Sequence, residues 1–214
     1  MKYSHSMIMT PLSINEHVER LLNAMHLDAE PYYVDVVPED GVPPNDCFPS
    51  VMKKVEKDEG SMILGWQIWE RPFLIEAEFH AIWNSKEGKK VDITPKDLPG
   101  INRILFAQDQ GQKYEGKQVN NFCLNISGNQ LVDNYIEVRN AHFRLMNKGE
   151  RATQFPVRLT PFEFQITKAL KILEGEILNL LNSGGNRNSL CFCSSGKKFK
   201  YCHGMNINSM LMSI

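Results

Sequence analysis

The sequence predicts an α+β protein in which a main domain of mixed helices and antiparallel strands is followed by a small C-terminal knuckle. Three observations lead to this prediction. Residues 62–93 alternate between apolar and polar side chains with the period of strands, residues 130–182 carry two apolar stripes with the period of helices, and three of the five cysteines lie within residues 187–204. We divide the chain into a main domain at 1–182, a flexible joint at 183–186, the knuckle at 187–204 and a tail at 205–214 that we expect to be disordered.

The composition excludes several classes of protein. The 214 residues are 42% hydrophobic and 23% charged, which is enough for one core and an appendage. A formal net charge of -1 argues against a general nucleic-acid-binding surface. No apolar run is long enough for an export signal at the N-terminus or for a membrane span, and free thiols suit a reducing compartment. We therefore expect a cytoplasmic protein.

The first third of the chain predicts a helix, a strand and a second helix. Ser13 and Glu16 have the spacing of a capping box, and apolar residues then recur at helical spacing. Residues 31–37 read as a strand, and a loop rich in Pro, Gly and Asp leads to Cys47. The helix that follows spans about residues 48–57. Cys47 therefore lies at a helix N-terminus, where the macrodipole favours its thiolate.

The most β-like part of the chain predicts three antiparallel strands, at residues 62–69, 73–83 and 89–93. The second strand has one apolar face, so Glu76, Glu78 and His80 share the other face. If its hairpin closes around Lys86, His80 and Asp92 lie near each other across the strands. Beyond it we predict a strand at residues 103–107 and helices at residues 130–147 and 161–182, whose apolar stripes form core.

Cys47, His80 and Asp92 occur in the order, and on the elements, that a nucleophile, its base and an orienting carboxylate require. Gln67 or the backbone amide of Cys47 would be the donors of an oxyanion hole. The segment from residue 47 to residue 95 resembles the transglutaminase-like branch of papain-like cysteine enzymes, in which a cysteine opens a helix, His-Ala-Trp lies on a strand and Asp-x-Thr follows. Here the tryptophan is displaced by one position. The resemblance implies a thiol hydrolase or acyltransferase.

Other interpretations of these residues remain open. Cys47 alone fits a small hydrophobe at the edge of a core, His80 fits a solvated or ion-paired side chain, and Asp92 fits a turn-forming acid. A metal site made of Glu76, Glu78 and His80 lacks a fourth ligand and a recognised spacing.

The knuckle carries a stronger chemical signal. Cys191 and Cys193 form one ligand pair, and Cys202 and His203 return a second pair after a loop of eight residues. A Cys3His set suits tetrahedral zinc in a structural site. The segment also holds several lysines and lacks acidic residues, which offsets the charge of three thiolates. A tail paired by disulfides is the alternative, but Cys-x-Cys is poorly spaced for a bridge.

This string resembles the SEC-C motif, a small zinc-binding module named for the tail of the bacterial protein-translocation ATPase. The segment matches the motif at Cys-x-Cys, Ser-Gly-Lys-Lys, Cys-His-Gly and the preceding Arg187-Asn188 pair. It departs from the motif at Ser194, where glycine is usual, and at Ser189-Leu190, where Asp-Pro is usual. The resemblance implies a structural zinc. It also implies docking through the basic module on a protein or ribonucleoprotein partner, such as a chaperone, the ribosome or the export machinery. The alternative function is thiol chemistry at Cys47, with the zinc tail recruiting the substrate.

Overall fold

A computed structural model describes residues 8–154, 156–205, 207–212 and 214 of the chain. These residues form α-helices, strands and two short 3-10 helices, at Gly149–Thr153 and Phe199–Tyr201. The elements are, in order, α1 (Glu16–Ala24), β1 (Tyr32–Val36), α2 (Cys47–Asp58), β2 (Ser61–Arg71), β3 (Leu74–Asn84), β4 (Lys90–Asp92), β5 (Arg103–Gln108), β6 (Phe122–Asn125), α3 (Gln130–Met146), α4 (Pro161–Asn182) and α5 (Ile207–Met212). The predicted α+β class is confirmed.

The sheet differs from the predicted antiparallel one in two ways. β1 pairs with β4 in parallel, so the sheet is mixed. β2 pairs with both β5 and β3, so the strand order β2-β5-β1-β4-β3 closes into a ring. Neither feature leaves a local mark in the sequence, because both depend on which distant strands meet.

The outer edge of β3 is shared by two short strands. β6 pairs with residues 74–77 of β3, and β4 pairs with Trp83 and Asn84. Within the described part of the chain, residues 78–82 have no ladder partner on that edge. His80 lies in the middle of this gap, close to the first residue of α2.

The two faces of the ring have different surroundings. α1 packs on the outer face through Val18, Leu21 and Leu22, and α2 covers a neighbouring part of that face through Cys47 and Val51. Large apolar side chains fill one end of the inner face, namely Val34, Trp69, Ile82, Ile104 and Phe106. The polar face that alternation assigns to β3 is therefore also turned inward, and both Glu76 and His80 are buried.

The C-terminal part of the chain packs against α3 and α4. Cys191, Phe199, Ile207 and Leu211 belong to the same buried cluster as the apolar stripes of the two helices. The predicted joint at residues 183–186 is held by three backbone bonds to the end of α4 and by Asn129, whose side chain donates to the Gly185 carbonyl at 2.9 Å. The tail for which we predict disorder contains α5. The spacing of four residues between Ile207 and Leu211 places both against α3 and α4.

The start of α1 also differs from the sequence prediction. Asn15 caps the helix, with its side chain accepting from the amides of His17 and Val18, so Ser13 lies outside it.

None of the helices in the described ranges is long and apolar enough to cross a membrane. The N-terminal stretch that we interpret as lacking an export signal lies mostly outside the described residues.

Closure of the ring predicts a strict requirement for glycine at position 65. A Cβ atom on Gly65 would collide with the carbonyl oxygen of Ala107 and lie 2.6 Å from the Phe106 ring. Gly65→Ala should therefore lower the free energy of unfolding by about 2 kcal/mol, as overpacking of a core does. Urea denaturation followed by circular dichroism measures it.

Gly175→Ala is the matched control, because Gly175 lies inside α4 with open space around it. This substitution should raise the free energy of unfolding by about 1 kcal/mol through helix propensity. Equal stability of the wild type and Gly65→Ala would contradict the close approach of β2 and β5.

Candidate functional site

The structure brings Cys47, His80 and Asp92 together. Cys47 is the first residue of α2, His80 lies in the gap of β3, and Asp92 ends β4. His80 Nε2 lies 3.1 Å from Asp92 Oδ2, and the Cys47 side chain is a hydrogen-bond partner of the same imidazole. Because Nε2 faces the carboxylate, the remaining ring nitrogen, Nδ1, is the one available to the thiol. All three side chains are buried, and Cys47 and His80 line a cleft.

The electrostatics of this group favour an imidazolium and a carboxylate. Burial works against a charged imidazole, but the Asp92 carboxylate outweighs it and raises the pKa of His80 to about 9. Burial would raise the pKa of Asp92, yet His80 and Lys96 together lower it to about 2. The pair is therefore ionised at neutral pH.

Two side chains near this group have roles that the sequence did not predict. Lys96 lies 2.6 Å from Asp92 Oδ2 with its own side chain largely buried. Gln67 accepts from Lys96 at 2.8 Å, and its Nε2 donates to Glu78 at 2.6 Å. Its amide group is thus engaged on both sides, which makes Gln67 a poor oxyanion donor. The other predicted donor is the backbone amide of Cys47, which is the first residue of α2. The side chain of Asp46, the residue before it, makes no capping hydrogen bond to this end of the helix.

The cleft above Cys47 and His80 has a volume of about 490 Å³. Aromatic and aliphatic residues form one part of its wall, and amide side chains form another; the lining includes Phe48, Leu98, Phe143, Asn45, Asn120 and Asn121. Tyr114 stacks on Phe48 with ring centroids 4.1 Å apart, so the loop after β5 covers the start of α2. The cleft offers apolar contacts and several hydrogen-bonding groups to a ligand.

The alternative metal site at Glu76, Glu78 and His80 is not assembled. Glu76 is bonded to Arg139, Glu78 to Gln67 and His80 to Asp92. Among the described residues, the group that could hold a metal ion is Cys191, Cys193, Cys202 and His203.

These four side chains meet at one point of the C-terminal module. A bridge between Leu190 and Lys198 and a backbone bond from Cys191 to Lys197 close the loop that carries the first pair. The 3-10 helix Phe199–Tyr201 then delivers the second pair. Cys191 is buried beneath the module, whereas Cys193 and His203 are exposed at its surface.

The distances between the ligand atoms fit a tetrahedral ion. All four ligand atoms lie within 4.8 Å of one another. The sulfur atoms of Cys193 and Cys202 are 3.5 Å apart. His203 Nδ1 lies 3.2 Å from Cys191 Sγ and 3.6 Å from Cys202 Sγ. A zinc ion with standard bond lengths places its sulfurs about 3.8 Å apart and a sulfur and a nitrogen about 3.6 Å apart. Hydrogen bonds from Ser195 also lower the pKa of Cys193 to about 6, which favours the thiolate ligand. The donor set and its spacing therefore fit zinc.

Comparison with protein families identifies this segment. Residues 187–204 match the SEC-C motif. The chain thus carries a SEC-C motif with a Cys3His cluster that suits a metal, as the sequence predicted. Comparison with curated proteins and with solved structures gave no match. No comparison supports the resemblance of residues 47–95 to transglutaminase-like enzymes.

The backbone of the SEC-C motif explains two of its small residues. Ser194 replaces the usual glycine at a position with φ of 59°, a left-handed conformation that glycine adopts most easily. Gly204 packs against Phe199, and a Cβ atom there would lie 2.6 Å from the ring atom Cδ1. Phe199 is fully buried. The glycine after the second ligand pair therefore lets the module close on its own core.

The ligand set predicts that the protein binds about one zinc per chain. Cys191→Ser and Cys202→Ser should each abolish stable binding, because three remaining ligands no longer close the tetrahedral site. Metal analysis of the purified variants by plasma mass spectrometry measures the loss. Cys123→Ser is the matched control, since Cys123 lies on β6, and its zinc content should equal that of the wild type. Wild-type protein purified without zinc would contradict the assignment.

Proposed function

We propose that the SEC-C module holds a structural zinc and docks the protein on a macromolecular partner. The observation that carries this proposal is the complete Cys3His set. Four protein ligands leave no coordination position open for a substrate, so the ion would stabilise the module and take no part in a reaction. The function of such a module lies in the surface that it displays.

That surface is basic and partly apolar. Leu190, Tyr201 and Met205 are each at least 60% exposed, and Lys197 and Lys198 are exposed beside them. No acidic residue occurs between residues 186 and 204. Exposed aromatic and apolar side chains among lysines fit an acidic partner that offers an apolar contact. An acidic protein or a ribonucleoprotein has this chemistry, which agrees with the chaperones, ribosomes and export factors that the SEC-C resemblance implies.

Charge reversal on the module should weaken this docking. Lys197→Glu/Lys198→Glu leaves the four ligands in place, so its zinc content should stay at one per chain while binding falls at least about tenfold. Co-sedimentation with purified bacterial ribosomes and pull-down with a purified export chaperone measure binding. Lys53→Glu/Lys113→Glu reverses two exposed lysines elsewhere and should bind like the wild type. Failure of the wild type to bind either probe would contradict docking on the synthesis and export machinery.

A second candidate function is acyl chemistry at Cys47. The position of Cys47 beside the buried His80–Asp92 pair favours it, because Cys47 and His80 both line the cleft. The Cys47 thiolate would attack the carbon of an amide or ester, forming a C–S bond as the C–N or C–O bond breaks. The imidazolium of His80 would give its proton to the leaving group. Water would then hydrolyse the thioester, with His80 accepting a proton from the water.

This candidate predicts selective reactivity of Cys47. Iodoacetamide at neutral pH, with zinc kept bound to protect the SEC-C cysteines, should alkylate Cys47 at least about tenfold faster than Cys123. Burial and Glu76 raise the pKa of Cys123 to about 12, despite the nearby Arg139, so Cys123 is an internal reference for an inert thiol. Peptide mass spectrometry over time gives both rates.

His80→Ala should slow the alkylation of Cys47 towards the rate of Cys123, because the imidazole that would exchange a proton with the thiol is gone. His142→Gln is the control, since His142 lies on α3 outside this group, and it should leave the rate unchanged. A wild-type Cys47 that reacts no faster than Cys123 would end the thiol hypothesis and leave the docking proposal intact.

A further inference from the structure

Lys96 shares one carboxylate oxygen with the imidazole of His80. Its Nζ lies 2.6 Å from Asp92 Oδ2, the same oxygen that lies 3.1 Å from His80 Nε2. Nζ is also 3.5 Å from that ring nitrogen. The lysine side chain is 8% exposed and the aspartate side chain is fully buried. Two positively charged groups therefore meet at one buried carboxylate.

The position of the ammonium group is fixed from its other side. Gln67 Oε1 accepts from Lys96 at 2.8 Å, and Gln67 Nε2 donates to Glu78 Oε2 at 2.6 Å. Trp69 Nε1 donates to the same Glu78 oxygen at 2.9 Å. Because the amide has a donor on one side and an acceptor on the other, its orientation is determined. Lys96 thus completes a continuous chain of partly buried hydrogen bonds that runs from Trp69 to His80.

This arrangement opposes the effect of Asp92 on the imidazole. A buried carboxylate beside a histidine favours the imidazolium strongly, and a proton shuttle that never releases its proton is inactive. The charged or titratable groups that act on His80 are Asp92, Lys96 and Cys47, and Lys96 is the one that lowers its pKa. The carboxylate of Glu78 on the same strand is engaged by Gln67 and Trp69.

We propose that Lys96 is a positioning residue of the Cys47–His80 pair, which anchors Asp92 for the imidazole while its charge keeps the imidazolium able to release its proton. This inference rests on the proposed thiol function and adds Lys96 to the residues of that site. In the reaction, Lys96 touches neither the acyl group nor the leaving group. It acts only through Asp92 and His80.

The test is the titration of His80 in the full-length protein, followed by NMR of ring-labelled histidine and assigned with His80→Ala. Lys96→Met should raise the midpoint of His80 by about one pH unit, because the opposing charge is removed and the carboxylate remains. Lys96→Arg keeps a cation at this place and should restore the midpoint towards the wild-type value. Asp92→Asn should move the midpoint in the opposite direction, to a lower pH.

Should Lys96→Met lose its fold by circular dichroism, Lys96→Gln replaces it, since an amide can still donate to Asp92 without a charge. A midpoint of His80 that is the same with and without the lysine charge would overturn the inference, because a merely structural residue would leave that midpoint unmoved.

The alkylation rate of Cys47 distinguishes the thiol function from the role of Lys96. An unreactive wild-type Cys47 refutes the thiol function, whereas a reactive Cys47 with an unmoved His80 midpoint refutes only the role of Lys96.

Discussion

The ladder between β2 and β3 is the constraint on which the rest of the structure depends. It pairs eleven residues on each strand, from Ser61 with Asn84 to Arg71 with Leu74, and it closes the ring that β5, β1 and β4 complete. Closure turns one face of β3 inward together with its polar residues. Each buried polar group then needs a partner, because an unpaired one costs several kcal/mol. The chain of hydrogen bonds from Trp69 to His80 meets this need.

The same closure determines where the interior can be reached. β3 is longer than either strand on its outer edge, so β4 and β6 leave residues 78–82 between them. The first turn of α2 lies at this gap and brings Cys47 to His80. A buried ion pair that lies at an opening differs from one sealed in a core, since a ligand can approach it. The cleft at this opening is what makes the thiol hypothesis testable.

Local patterns predicted the elements, and long-range contacts decided their assembly. Alternation along β3 predicted that His80 and Asp92 lie near each other if the hairpin closes around Lys86, and the loop before Cys47 predicted that this residue opens a helix. The observed pairing of Trp83 with Val91 centres the hairpin one residue later, and the meeting of Cys47 with β3 depends on long-range packing. Lys96 was missed because strand alternation does not extend past β4, and a bend after that strand brings Lys96 to Asp92. α5 was missed because a six-residue helix has little stability of its own and depends on packing against α3 and α4. The SEC-C ligands were predictable because their spacing is local.

α3 connects the two candidate sites, which changes how the C-terminal module is understood. Arg139 on α3 is bonded to Glu76 on β3, and Phe143 one turn further along lines the cleft above Cys47. Arg144, the next residue, donates to the backbone carbonyl of Leu211 in α5 at 3.0 Å. Cys191 and Phe199 pack in the same cluster as the buried face of α3. A zinc ion bound by the SEC-C motif would therefore also support the helix that forms one wall of the cleft. On its inner side the module belongs to the core of the protein, and on its outer side Leu190 and Tyr201 are exposed.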